Sequence, residues 1–264
     1  MKGMDHGKEY QRLNQLAWNE RTKLHLQSEF YDVKGFLSGR SSLREIELAE
    51  LSVKGKSLLH LQCHFGLDTL SWAREGAASV AGLDLSDEAI TSARQLAEQA
   101  AIDAEFVCGD LYQAPALLQR QFDLVYVSYG ALVWLPDLHR WAETVSACLK
   151  PGGELYLAEF HPLQALFDGY DYFHTGKADV ELEGSYTENA QEAQHTTVCW
   201  SHSLSDVISA LLANGLQLRA FREYDFSPYD CFEGLQEDTP GRFRLYHQGK
   251  AIPLVYSLRA VKEG

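Results

Sequence analysis

Asp84 closes an apolar run and stands 18 residues after Gly66. A carboxylate delivered to the carboxyl edge of a parallel sheet can accept both hydroxyls of a ribose, while the preceding turn holds the rest of the nucleoside. Asp110 follows a second apolar run and a glycine. It is positioned to accept from an adenine amino group, with the Leu111 backbone at the ring edge; capping of its own loop is the competing role. The residue types and their order therefore point to a nucleoside-bearing cofactor.

The elements that must position these acids are legible around them. Leu58 to Asp84 reads LLHLQCHFGLDTLSWAREGAASVAGLD. Ser57–Leu61 is an apolar strand, Gln62–Gly66 a turn, Leu67–Glu75 an amphipathic helix, and Ala78–Leu83 a second buried strand, which makes a βαβ unit. The turn is poor in glycine. A pyrophosphate requires close backbone approach at several points, hence G-x-G-x-x-G. Here Gln62 and His64 stand where the first glycines would lie, and Gly66 alone remains. A nicotinamide-dependent oxidoreductase would need the missing glycines. S-adenosylmethionine, with an adenosine, a sulfonium and an amino acid tail but no diphosphate, fits the turn better.

Five segments then carry a family resemblance. His60-Leu-Gln-Cys-His-Phe-Gly66 lies where D-L-G-C-G-x-G is usual. Gly82-Leu-Asp-Leu-Ser86, Cys108-Gly-Asp-Leu111, Phe122-Asp-Leu-Val-Tyr-Val-Ser128 and Leu149-Lys-Pro-Gly-Gly153 follow in order. Together they span about Ser57 to Glu159, and the chain resembles the class I S-adenosylmethionine-dependent methyltransferases. A closer likeness is to a bacterial subgroup with W-N-E-R near the start, L-Q-C-H-F-G-L-D-T in the first motif and E-F-H-P after the fifth strand.

The resemblance implies a Rossmann-like, doubly wound α/β fold. Its seven-stranded sheet is mostly parallel, with an antiparallel terminal strand pair, an N-terminal helical cover and an insertion after the fifth strand. It implies S-adenosylmethionine as cofactor, S-adenosylhomocysteine as product, and a small-molecule methyl acceptor with an oxygen or nitrogen nucleophile. Carried onto this sequence, the cofactor contacts are Gln62, His64, Gly66, Asp84, Leu85, Asp110, Leu111 and Ser128. In one respect the chain departs: His60 replaces the acid that commonly orders the amino acid end of the cofactor. Either Gln62 and His64 supply hydrogen bonds otherwise made by backbone, or the site binds without catalysing.

Glu159 and His161 are the candidates for chemistry on the acceptor. They lie two apart at the end of a strand, and a histidine there could take a proton near neutral pH; anchoring of the following segment is the alternative. Tyr31, Tyr129, Trp134, His174 and His202 are candidate pocket residues, with Gly130, Tyr186 and Tyr229 beside them. Trp18, Asn19 and Arg21 sit on the first helix, which in related enzymes folds over the cofactor. His60, Cys63 and His64 suggest a metal, but His60 and Cys63 point to opposite faces and no nearby carboxylate completes a set, so no metal site is expected.

The remaining chain sets the frame. The length of 264 residues suits one α/β domain with decoration. Its expected parts are a cover (1–52), a cofactor-binding core (53–162), an insertion or lid (163–200) and a C-terminal helix with strands (201–264). A net charge of -14 disfavours nucleic acid and anionic membranes. The five cysteines are unpaired in pattern, and the polar start MKGMDHGKEY has no secretory core, so a soluble, cytoplasmic protein is expected.

Helices are predicted at Tyr10–Gln27, from a Ser42-Leu-Arg-Glu45 capping box to about Leu51, after the Ser86 cap, at Pro136–Leu149 with proline in the first turn, and from Ser203-Leu-Ser-Asp206 to Asn214-Gly215. Strands are predicted at Ala104–Val107, Phe122–Val127, Gly153–Glu159, about Gln217–Tyr224 and about Pro253–Val261. Phe30–Gly39 reads as a loop. Leu163–Trp200 is too long for a simple connection and reads as a lid or small hairpin.

Overall fold

The computed structural model describes residues 6–190 and 194–264. Residues 1–5 of the predicted cover and 191–193 of the predicted insertion lie outside the described part. The chain begins with α1 (His6–His25), α2 (Val33–Leu37) and α3 (Glu45–Glu50). The alternating core follows: β1 (Ser57–Leu61), α4 (Leu67–Arg74), β2 (Ser79–Asp84), α5 (Asp87–Gln99), β3 (Glu105–Cys108), α6 (Ala114–Leu118), β4 (Phe122–Val127), α7 (Leu138–Cys148) and β5 (Leu149–Phe160). Next come α8 (Pro162–Phe167), a hairpin of β6 (Asp179–Glu183) and β7 (His195–Cys199), α9 (Leu204–Ala213) and β8 (Leu216–Tyr224). Four short strands, β9 (Gln236–Thr239), β10 (Arg242–Arg244), β11 (Tyr246–His247) and β12 (Lys250–Ala251), precede the last strand, β13 (Val255–Lys262).

One sheet organises all of this, in the order β3-β2-β1-β4-β5-β13-β8. The pairs β1/β2, β2/β3, β1/β4 and β4/β5 are parallel, and β13 runs against both neighbours. The Rossmann-like expectation therefore holds, including the antiparallel terminal pair. Alternation along β1 explains the two faces. Leu59 and Leu61 join Leu83, Val125, Val127 and Trp141 on one side, while Leu58 joins Val80, Leu124, Tyr126 and Trp72 on the other. Such double-sided burial is why these strands read as continuous apolar runs.

Several boundaries differ from expectation for local reasons. Phe30–Gly39 contains a short helix, because Asp32 caps it by accepting from the Gly35 N–H at 2.9 Å. The third helix begins at Glu45, not at Ser42. The Glu47 carboxylate reaches back to the Arg44 N–H at 2.7 Å, and Ser42 donates instead to Asp68 at 2.6 Å. Asp137, not Pro136, opens α7, its side chain accepting from the Arg140 N–H. The predicted insertion does form a hairpin, β6–β7. A second elaboration, between β8 and β13, was not anticipated. Its strands are two to four residues long and mostly exposed, too short to leave a periodic signal.

Candidate functional site

Between β1 and β4 the strand order reverses, and a cavity of about 570 Å³ opens at the carboxyl ends of the strands there. Ligands of open α/β sheets bind at this switch point, and the volume lies in the range of small-molecule sites. The loop after β1 and the ends of β2, β3 and β4 form its floor. Three elements outside the sheet cover it: α1, the Gly184–Tyr186 turn after β6, and the Tyr229–Phe232 segment.

The glycine-poor loop keeps a glycine-type backbone. Gln62 has φ 56°, His64 φ 52° and Gly66 φ 78°. For a residue with a Cβ the left-handed region costs roughly 1–2 kcal/mol, so the surroundings must hold Gln62 and His64 in place. Gln62 Nε2 donates to the Ala131 carbonyl at 2.8 Å, while its Oε1 is buried with no hydrogen-bond partner. The Cys63 N–H donates to the Leu83 carbonyl at 3.0 Å. The His64 ring is boxed by Trp18, His25 and Tyr31, with centroids 5.1–5.4 Å away. Gly66 is needed for packing as well as for its φ: a Cβ there would stand 2.6 Å from the Phe106 ring on β3.

Asp84, at the end of β2, accepts the His64 N–H on Oδ2 and the Ser86 N–H on Oδ1, both at 2.8 Å. Burial pushes its pKa up, and the N–H donors pull against that shift. A carboxylate has about four lone-pair sites, so two remain for hydroxyl donors. Asp110 caps the turn at Leu111–Gln113 through the Tyr112 N–H at 3.1 Å and accepts Gln11 Nε2 at 2.8 Å. Both readings of Asp110, cap and cavity acid, are thus present in one side chain. Ser128 directly follows β4 and bonds His60 Nε2 at 3.2 Å, while His60 Nδ1 meets Thr69 Oγ1 at 2.9 Å. Burial depresses the His60 pKa to about 3, so the ring is neutral.

The cover is tied down by amide side chains of α1. Asn14 makes two 2.8 Å bonds with the Val198 backbone on β7. Gln15 Nε2 donates to the Leu85 carbonyl at 3.0 Å, and Asn19 donates to Asp87 and accepts from Ser86 Oγ. Arg21 donates to the Gly184 carbonyl, pairs with Glu183 at 2.9 Å, and lies over the rings of Trp18 and Trp134. Trp18 meets Trp134 edge-on at 5.5 Å.

Beyond the loop the cavity wall is aromatic. Tyr31 and Tyr186 share a hydroxyl–hydroxyl bond, and Tyr129 and Tyr229 meet edge-on at 5.1 Å. Tyr129 also donates to Glu47 at 2.8 Å. Glu47 is fully buried, which raises its pKa to about 7. Phe160, Cys231 and Phe232 complete this end.

All eight expected cofactor-contact residues line the cavity, as do Tyr31, Tyr129, Gly130, Trp134, Tyr186 and Tyr229. Four others do not. Glu159 spends its carboxylate on the backbone N–H groups of Gly130, Ala131, Leu132 and Phe160, which fixes the loop after β4. His161 caps α8 by accepting the Leu163 N–H at 3.1 Å, and its Nε2 faces Glu223 at 2.9 Å. Neither member of the pair expected for acceptor chemistry lines the cavity. His174 and His202 stack on each other 4.8 Å apart, and His202 bonds the Leu135 carbonyl outside the cavity. Sequence reasoning missed Gln11, Asn14, Arg44 and Asp68, whose importance depends on which helix faces the cavity.

Residues 58–153 match the family model described as a methyltransferase domain. A ubiquinone biosynthesis O-methyltransferase of Coxiella burnetii (strain Dugway 5J108-111) is 32% identical over 127 residues, covering 48% of this chain and 52% of the relative. A ribosomal protein L11 methyltransferase of Neisseria gonorrhoeae is 34% identical over 104 residues, 39% of this chain and 32% of that protein. The matched region thus spans about half the length of the first relative and less of the second. Among solved structures, an S-adenosylmethionine-dependent methyltransferase of Methanosarcina mazei superposes with a TM-score of 0.59 at 21% identity, covering 84% of this chain and 98% of that one, a likeness of fold. Residues 58–153 thus match a methyltransferase domain, and the sheet built around them has the fold of solved S-adenosylmethionine-dependent methyltransferases.

Proposed function

We propose that the protein transfers a methyl group from S-adenosylmethionine to a small-molecule acceptor with an oxygen or nitrogen nucleophile. One observation carries this reading: Asp84 and Asp110 stand in turn beside the Gly66 loop, at the carboxyl ends of β2 and β3, and all three line a single cavity. The residues present fit the cofactor. Two carboxylates retain lone pairs for the ribose hydroxyls and the adenine amine, the Leu111 backbone lies beside the latter, and Gln62 Oε1 is a buried acceptor still without a donor. Filled side-chain positions at 62 and 64 disfavour a diphosphate in the same loop.

When bound, the cofactor supplies an electrophilic methyl on its sulfonium. The chain's part is positioning in a site screened from water. Glu159 holds the Gly130–Leu132 backbone, so the loop between cofactor and acceptor ends keeps its shape. Trp18 and Trp134, packed edge-on with Arg21 over both rings, close one side. The tyrosine-lined end supports an aromatic or partly apolar acceptor. A small molecule is supported over a macromolecule by the three covering elements and by the net charge of -14. No helix among the described residues is long and apolar enough to cross a membrane.

The test is an acceptor screen with methyl-labelled S-adenosylmethionine, read by formation of S-adenosylhomocysteine. Acceptor-dependent product is the expected result. Tight binding with no turnover on any acceptor class would favour a non-catalytic binding protein.

A further inference from the structure

The amino acid tail of the methyl donor is a zwitterion, and His60 leaves its ammonium without the usual acid. That ring is buried and neutral, and both its nitrogens are engaged, by Thr69 and Ser128. The missing negative charge reappears nearby. Asp68, in the first turn of α4, lines the same cavity; its Oδ1 accepts from Ser42 Oγ at 2.6 Å, and no cation among the described residues lies within ion-pair distance of it. Arg44 lines the cavity too. Its guanidinium rests on the Tyr229 ring at 4.5 Å, and its Nε is buried with no hydrogen-bond partner.

These two opposite charges share a cavity, and neither forms a salt bridge with the other or with another described residue. An arginine presents a fork of five donors suited to a carboxylate, and a carboxylate offers acceptors to an ammonium. Each feels the other's charge without closing an ion pair, so both keep hydrogen-bonding capacity that a ligand of complementary charge can fill. We propose that Asp68 and Arg44 form the subsite for the α-amino-acid end of the cofactor, Asp68 taking the ammonium in place of the acid lost at His60 and Arg44 taking the carboxylate. The inference rests on the methyl-donor reading above.

Calorimetry with two probes separates the ideas. S-adenosylhomocysteine carries the amino acid tail; 5′-methylthioadenosine lacks it. The wild-type chain should bind the first at least about tenfold more tightly, and Asp68→Asn and Arg44→Gln should each lower that affinity by roughly ten- to a hundredfold, as expected for charged hydrogen bonds. Their affinity for methylthioadenosine should be unchanged. Asp68→Asn keeps an oxygen for Ser42, and Asp68→Glu should restore part of the loss, which guards against a folding defect. Homocysteine-adduct affinity within twofold of wild type in both variants would overturn the proposal, as would an equal loss for both probes. Failure of the wild-type protein to bind either probe would instead overturn the methyl-donor reading itself.

Discussion

The backbone N–H of His64 donates to Asp84 Oδ2 at 2.8 Å, so the residue with the strained backbone and the acid at the end of β2 are held by one bond. The loop is kept in its left-handed course by the carboxylate that faces the cavity. Removing the acid should therefore damage the loop and the site together.

Asp84→Asn keeps one acceptor but sets an NH₂ group against a backbone N–H. We expect at least about a tenfold loss in affinity for S-adenosylhomocysteine, together with about 1–3 kcal/mol of stability. Calorimetry and urea denaturation read the two effects separately.

His60 and His25 set a pH response. Burial lowers both pKa values to about 3 in the fold, against about 6.5 when unfolded. The unfolded chain thus binds more protons below pH 6.5. The stabilisation is full above that pH and is lost as pH falls toward 3, at up to about 1.4 kcal/mol per pH unit for each histidine. Urea midpoints should drop between pH 7 and 5, and His60→Gln should flatten that slope.

Glu47 acts in the opposite sense. Burial first, then the nearby Asp68 charge, raises its folded pKa to about 7. The unfolded chain releases this proton near pH 4.5, before the folded one, so the residue's contribution falls as pH rises from 4.5 to 7. Glu47→Gln should gain on wild type across that interval, by up to roughly 3 kcal/mol. Parallel curves for the two proteins would contradict the assignment.

Glu159→Gln replaces an acceptor-only group beneath four backbone N–H donors. It should cost about 2–4 kcal/mol, whereas His161→Ala should cost about 1 kcal/mol as a lost helix cap. With an acceptor in hand, His161→Ala should retain turnover in proportion to folded protein. A drop in turnover at unchanged stability would return His161 to the chemistry.

The sheet was legible because its strands are buried on both faces and leave unbroken apolar runs such as Leu58–Leu61 and Phe122–Val127. The acids at their ends were legible from spacing alone. Strand alternation tells which way Glu159 points but not that the Gly130–Leu132 backbone already occupies its carboxylate. For His161 a signal existed: a proline directly after it, at the first helical position, marks a cap. His174 and His202 looked like pocket residues because the insertion was read as a lid, whereas their stack lies outside. Arg44 and Asp68 could not be paired in sequence, since they reach one cavity only through tertiary bonds such as those of Ser42 to Asp68 and Ser71 on α4.

The most direct measurement is calorimetric titration of the cofactor-stripped protein with S-adenosylmethionine and S-adenosylhomocysteine, with NAD as control. Micromolar binding of the first two and no heat from NAD is the predicted result. Silence from both adenosyl ligands would mean that Gln62 and His64 close the loop against the cofactor, and would contradict the proposed function while leaving the fold as it is.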